Sequence, residues 1–545
     1  MDFPGTLNAQ TGADDPAITE RKQMALRAVL KRGDQTDRTK VGKKGFKLNK
    51  QGLELAHARL ALGEEIPQAN AFLETFAFDQ VPQNWGRRLD TPDWNFSAVR
   101  LLHTYFRFRD SPDLSPAAKE HIKGVMADWK KPRPNANRNN DSIALWPGIH
   151  TENHDIMMLA IAYLRATLLD RPTEPLAQEL VLYFSWRLQK GRMEWNSNTY
   201  DAHYFAPALL LAEHAPDAEV RQSARMAIEH LLAERLVFSI NGNLAGPLTR
   251  SFRLDDPPHD GFREIMWILF GTAPENRHPG EGVYLAASHY VPDPAVLQLA
   301  SELKGTPSRD YLGLRERWGG ERVLLVYHAT PHVIMGSQDW SGHTPHQRFF
   351  SVHFQNPEDA ILGELPAPPR EGKSPGNSGD LVQYRNWLVA RGNIQTHGNL
   401  KEQRHGDWTI YQSGRALVAH TELGDNWYNL QIADLDQYGS VADFVKALER
   451  PEISGNRITG RATDGAELVA LLHPRWNYNS LRANDQPRRR FHGMLHDSPH
   501  LSARWGEGKV RIRTKKGTHF LDANAQLRQL AGEKTPSAKN ADTKR

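Results

Sequence analysis

With 545 residues the chain is long enough for two domains or more, each able to bury a core without crosslinks. It contains no cysteine, which excludes disulfides, thiolate metal sites and cysteine nucleophiles. Its 68 basic and 64 acidic side chains leave a formal charge of only +4, and no stretch has the roughly 18 uncharged apolar residues of a membrane span, so neither nucleic acid nor a membrane is expected as a partner.

Residues 1–20 are polar and aperiodic and read as a disordered tail, and Met1 to Lys50 holds no apolar run of the kind a signal peptide needs. From about 51 to 300 the apolar residues recur at helical spacing between turn signals. The pattern predicts helices near 51–62, 67–78, 94–109, 115–130, 152–169, 174–190, 201–214, 217–236, 259–271 and 279–300, the last broken by Pro292 and Pro294. Pro207 kinks or delays the helix placed at 201. No strand-like alternation intrudes, so 21–315 is expected to be an all-α domain of helical hairpins forming an (α/α) toroid. Beyond about 320 the texture changes to short β runs, among them 322–328, 332–335, 348–354, 387–390, 407–411, 415–420, 427–432, 466–473 and 510–514. Residues 316–525 are therefore expected to form an antiparallel β-sandwich, with a Pro/Gly/Ser-rich loop over 366–380, and 526–545 a second disordered tail.

If consecutive helices alternate between an inner and an outer layer, those starting near 94, 152, 201 and 259 open on one rim. Their starts carry unusual chemistry: Asp93-Trp94-Asn95; Glu152-Asn153-His154; Asn198-Thr-Tyr200-Asp201-Ala-His203-Tyr204; and His259-Asp260-Gly-Phe-Arg263. The partner helices open on ordinary capping sequences such as Ser115-Pro and Pro216-Asp. The run Trp146 to Asp155 also brings Trp146 and His150 to the lead-in of the helix at 152, with Thr151 as its expected N-cap.

Such a rim suits proton abstraction alpha to a carboxylate, which needs one group to neutralise the carboxylate and others to take and return the proton. Asn153, at the positive end of a helix dipole, fits the first role, and His154, Tyr200 and Tyr204 fit the others. Arg250 and Arg263 can hold substrate carboxylates, while Trp94, Asn95, Trp146, His150, Asn198, His203 and His259 are candidates for sugar contacts. Hydrolysis would instead need two carboxyl groups, and Glu152 with Asp201 are the pair available on the rim. The stretch His328, His332, Asp339, His343, His346, His353 fits no familiar tetrahedral metal spacing, so neither metal nor cofactor is expected.

An all-α half followed by a β half, with Glu152-Asn153-His154 at a helix start and Asn198 to Tyr204 after it, resembles the toroid-plus-sandwich polysaccharide lyases, including the heparinase II/III-like and the alginate or chondroitin lyases. The resemblance implies β-elimination on an acidic, uronate-containing glycan, with Asn153 neutralising the carboxylate and His154 and Tyr200 or Tyr204 handling protons. Several alginate lyases carry Asn-Asn-His where this chain has Glu152-Asn153-His154, so an acid replaces the first asparagine. Related toroids serve glycoside hydrolases, which keeps hydrolysis open, and a non-catalytic glycan-binding protein is the third reading. The substrate class points to a periplasmic or secreted protein, while the lack of an apolar leader leaves the cytoplasm open.

Overall fold

The computed structural model describes residues 15–35, 45–78, 93–129, 152–197, 200–249, 262–272, 280–304, 306, 308–316, 322–338, 348–364, 381–471, 480–484, 486–488 and 493–530. The N-terminal half is helical: α1 (Pro16–Gln35), α2 (Gly45–Leu62), α3 (Ile66–Glu74), α4 (Asp93–Phe108), α5 (Pro116–Asp128), α6 (Glu152–Leu168), α7 (Glu174–Lys190), α8 (Asp201–His214) and α9 (Ala218–Val237). A hairpin of β1 (Ser239–Ile240) and β2 (Asn243–Leu244) follows, then α10 (Arg263–Phe270), α11 (Gly282–Ala287) and α12 (Pro294–Leu303). Among the described residues no helix is long and apolar enough to cross a membrane.

Local chemistry sets these boundaries. Ser115 Oγ accepts from Ala118 N at 3.0 Å and Pro116 takes the first helical position, so α5 starts there and buries Ala118, Ile122 and Met126 on one face. Asp293 caps α12 in the same way, 2.8 Å from Ala295 N. Gly191, at φ 72°, ends α7. Helices α4, α6 and α8 touch one another, α2 packs on α4, and α11 touches α8, α2 and α1, while α3 packs on α5 and α7 on α9.

Three expectations are corrected. The first half is not all-α, because Asn241 (φ 47°) and Gly242 (φ 77°) form a two-residue turn that closes β1 on β2. A strand, β3 (Arg309–Glu316), also begins before residue 315. The stretch taken for an N-terminal tail already contains the start of α1, whose Ile18, Ala25, Leu26 and Val29 are buried.

The second half continues with β4 (Arg322–Ala329), β5 (Val333–Gln338), β6 (Phe350–Phe354), β7 (Ala360–Glu364), β8 (Leu381–Tyr384), β9 (Trp387–Arg391), β10 (Asn393–His397), β11 (Lys401–His405), β12 (Trp408–Ser413), β13 (Ala416–Gly424) and β14 (Trp427–Asp434). Short helices α13 (Leu435–Tyr438) and α14 (Val441–Ala447) precede β15 (Glu452–Ser454), β16 (Arg457–Arg461), β17 (Glu467–Leu471), β18 (Ser480–Ala483), β19 (Gln486–Arg488), β20 (Met494–Asp497), β21 (Leu501–Arg504), β22 (Lys509–Thr514) and β23 (Gly517–Asp522). Helix α15 (Ala523–Leu530) ends the described residues and runs across the boundary at 526 into the segment expected to be a C-terminal tail.

Besides the hairpin, the strands among the described residues form a ten-stranded sheet ordered β10-β7-β6-β5-β4-β3-β20-β21-β22-β23, a six-stranded sheet ordered β11-β12-β13-β14-β9-β8, and a five-stranded sheet from β15 to β19, each pair antiparallel. The two faces of the ten-stranded sheet bury different partners, as the two-residue period of a strand requires. Ile334 of β5 joins the helical core with Tyr311, Leu325 and Leu495, while its neighbours Val333 and Met335 join Leu388, Val418 and Leu430 of the six-stranded sheet.

Candidate active site

Four helix starts meet around Phe96 in the first turn of α4. Its ring lies edge-on to His154 of α6, with centroids 5.1 Å apart, and to His203 of α8 at 4.6 Å. Lys50 of α2 sets its Nζ 4.0 Å from the Phe96 centroid, and Tyr200, immediately before α8, stands 5.8 Å from His203. Glu281, immediately before α11, closes the group: its Oε1 is 2.7 Å from His203 Nδ1 and is also bound by Arg100, one turn along α4.

The charges in this cluster are set by the neighbours. Burial alone would raise the Glu281 carboxyl, but Arg100, His203 and Lys50 outweigh it and hold it well below the usual carboxylate range. Burial pushes the His203 imidazole down more than Glu281 raises it, so His203 is neutral near pH 7. A carboxylate only accepts, so His203 Nδ1 carries the hydrogen and donates to Glu281, and Nε2 holds the lone pair.

A second, more buried set of charges surrounds Glu152 and Asp201. Glu152 Oε1 is 3.0 Å from Arg187 Nε with both side chains at 2% exposure or less, and Glu152 Oε2 accepts from Glu194 N at 2.8 Å. Glu194 Oε2 in turn accepts from Asn153 N at 3.1 Å, so the two acids clamp the first turn of α6 and satisfy two backbone donors. Asp201 is held by Arg192 and by Arg235, whose Nε is 2.7 Å from Oδ2. Arg192 also lies 3.5 Å from Glu234, which pairs with Arg315 of β3. Tyr204 is 3% exposed, its ring 5.7 Å from the Arg192 guanidinium, and burial raises its phenol well above the ordinary value. Tyr200 and Tyr204 therefore face different surroundings despite their spacing: one sits beside His203, the other against buried arginines.

Comparison with protein-family models and with curated proteins finds no match for this chain. His154, Tyr200 and His203 come together; Asn153 lies beside them in sequence but is buried; and Arg263 opens α10 half-buried. Asn95 is fully buried, with neither atom of its amide hydrogen-bonded among the described residues. Trp146, His150, Thr151, Asn198, Arg250 and His259, and the Trp94 side chain, lie outside the described residues. Sequence reasoning missed Lys50, Phe96, Arg100 and Glu281, which gather only because helices far apart in sequence pack together.

Among the described residues the histidines of the β half do not form one cluster. His328 Nδ1 is 2.7 Å from Asp310, which also binds Arg385 at 2.7 Å, in a cleft lined by Tyr327 and Asp497. His353 is buried, and desolvation pushes its imidazole down to about 3. His332 faces Asp434 and Asp436, while Asp339, His343 and His346 lie outside the described residues.

Proposed function

We propose that the chain is a polysaccharide lyase that cleaves an acidic, uronate-containing glycan by β-elimination, on an (α/α) toroid joined to an antiparallel β-sandwich. The chain of helix contacts α1–α2–α4–α6–α8–α11, returning from α11 to α1, supports a closed ring. The core shared by the ten- and six-stranded sheets supports a sandwich.

The observation that carries the function is the meeting of His154, Tyr200, His203 and Lys50 around Phe96, with His203 neutral and oriented by Glu281. In this reading Lys50 neutralises the uronate carboxylate, the role that the sequence pattern gave to Asn153, which the fold buries, and this lowers the cost of the carbanion. His203 Nε2 removes the proton alpha to the carboxylate, and Glu281 stabilises the imidazolium that forms. The pair of electrons left behind makes the ring double bond as the glycosidic carbon–oxygen bond breaks. Tyr200 or His154 returns a proton to the departing oxygen. No co-reactant is consumed.

The acid that replaces the first asparagine of the alginate-lyase motif does not repel a uronate in this reading, because Arg187 neutralises Glu152. The same pairing weighs against hydrolysis. A glycosidase presents both carboxyl groups to the glycosidic bond, yet Glu152 and Asp201 are each engaged by arginines at 1% exposure.

The test is digestion of a panel of uronate polymers, followed by the ultraviolet absorbance of the unsaturated product. The expected result is absorbance with wild type and a loss of about 10²–10⁴-fold in His203→Ala and Tyr200→Phe. Reducing ends released from a glycan without that absorbance would make the protein a hydrolase. Binding that weakens in these variants, with no turnover by wild type on any polymer, would make it a glycan-binding protein.

A further inference from the structure

We infer that His332, Asp434 and Asp436 form a binding site for a divalent cation of the zinc class, one that ties the ten-stranded sheet to the six-stranded sheet. His332 lies in the turn between β4 and β5, Asp434 ends β14, and Asp436 lies in α13. His332 Nε2 is 3.7 Å from Asp434 Oδ2 and 3.6 Å from Asp436 Oδ2, and the three atoms all lie within 4.8 Å of one another. These gaps exceed a hydrogen bond but match the roughly 3–4 Å between ligands that each stand about 2.0–2.2 Å from a shared ion.

Each ligand is anchored through its other atom. His332 Nδ1 is 2.7 Å from Gln355 Oε1, an acceptor, so Nδ1 carries the hydrogen and Nε2 presents its lone pair to the carboxylates. Asp434 Oδ1 accepts from Asp436 N at 3.0 Å, while Oδ2, on a side chain 4% exposed, has no hydrogen-bond partner among the described residues. Asp436 Oδ1 is taken by Arg415, leaving Oδ2 toward His332. A lone pair and two anionic oxygens facing one another with no hydrogen bond between them repel, and a cation turns that repulsion into coordination. One imidazole with two carboxylates suits zinc, with water completing the shell on the exposed Asp436 side.

A second cluster, His230, Glu234 and His496, lacks this character. Its imidazoles are hydrogen-bonded to each other at 2.7 Å, and Glu234 is held by two buried arginines, Arg315 and Arg192, where Asp436 has the single, exposed Arg415.

The test is calorimetric titration of the full-length, chelator-stripped protein with zinc chloride, paired with thermal unfolding. The expected result is saturable uptake of one ion with a rise in Tm of several degrees. Both effects are lost in His332→Ala and in Asp434→Asn, which keeps the acceptor for Asp436 N. Asp436→Asn, at an exposed position, weakens uptake at least tenfold and guards against a variant that merely misfolds. Absence of saturable uptake by wild type, or uptake that survives all three substitutions, would overturn the site.

Discussion

Glu152 shows how much of a residue's role depends on groups distant in sequence. As part of Glu152-Asn153-His154 it reads as a rim acid, but its partners Arg187 and Glu194 lie on α7 and in the turn after it, so the pairing was not visible in any local pattern. Both side chains of the Glu152–Arg187 pair are buried, so removing one charge strands the other. Glu152→Gln is expected to cost about 3–5 kcal/mol in urea unfolding, and Glu152→Leu with Arg187→Met to recover most of it. A double variant no more stable than the single one would mean that Glu152 works mainly through Glu194. The rim makes a second, separate prediction. Burial lowers the His203 imidazole more than Glu281 raises it, so for the proposed elimination Glu281→Gln is expected to move the acid limb of the kcat/KM profile to lower pH. An unmoved limb would take His203 out of the base role.

At the scale of elements, helices were the easier reading, because an apolar stripe repeated over many residues states both the element and its buried face. The hairpin β1–β2 was missed, although Ile240-Asn-Gly-Asn carries the Asn-Gly signal, because two-residue strands are too short for alternation to register. That hairpin leads into Gly246, at φ 93°, whose N–H donates to Ser351 Oγ at 3.0 Å while the Ser351 hydroxyl donates to Gly246 O at 3.1 Å. A Cβ on Gly246 would run into the Tyr327 ring, itself stacked on Phe238 with centroids 4.5 Å apart. Gly246→Ala therefore meets both an unfavourable backbone region and a close-packed ring. It is expected to destabilise the protein by at least about 2 kcal/mol while the helical circular dichroism of the folded state is kept. An unchanged Tm would refute this close approach of hairpin and sheet.

The whole molecule was the least accessible scale. Strand content could be read, but strand order could not: Leu312 of β3 is paired with Asp497 of β20, and β8 and β9 join a different sheet from β7 and β10 on either side of them. Alternation says which face of a strand is buried, not which strand lies beside it. Nor did it show that the ten-stranded sheet packs on the helices, an arrangement that buries many titratable groups and makes the entire fold sensitive to acid. Desolvation lowers His230 and His214 to about 4 and His103 and His353 to about 3, against about 6.5 in an unfolded chain. These imidazoles stay neutral when folded, so between pH 6.5 and 4 the unfolded state binds more protons and stability falls as pH falls, by about 1 kcal/mol per unit for each group. Glu229 acts in the opposite sense. Burial raises it to about 7, so its contribution is full below about pH 4.5 and is lost as pH rises through 7. Four histidines outweigh one carboxyl, and the expected outcome is a Tm that drops steeply from pH 6.5 to 4. His230→Gln and His103→Gln should each flatten the drop even where they lower the neutral-pH Tm. A Tm that is flat over that range would mean that these imidazoles already bind protons in the folded protein.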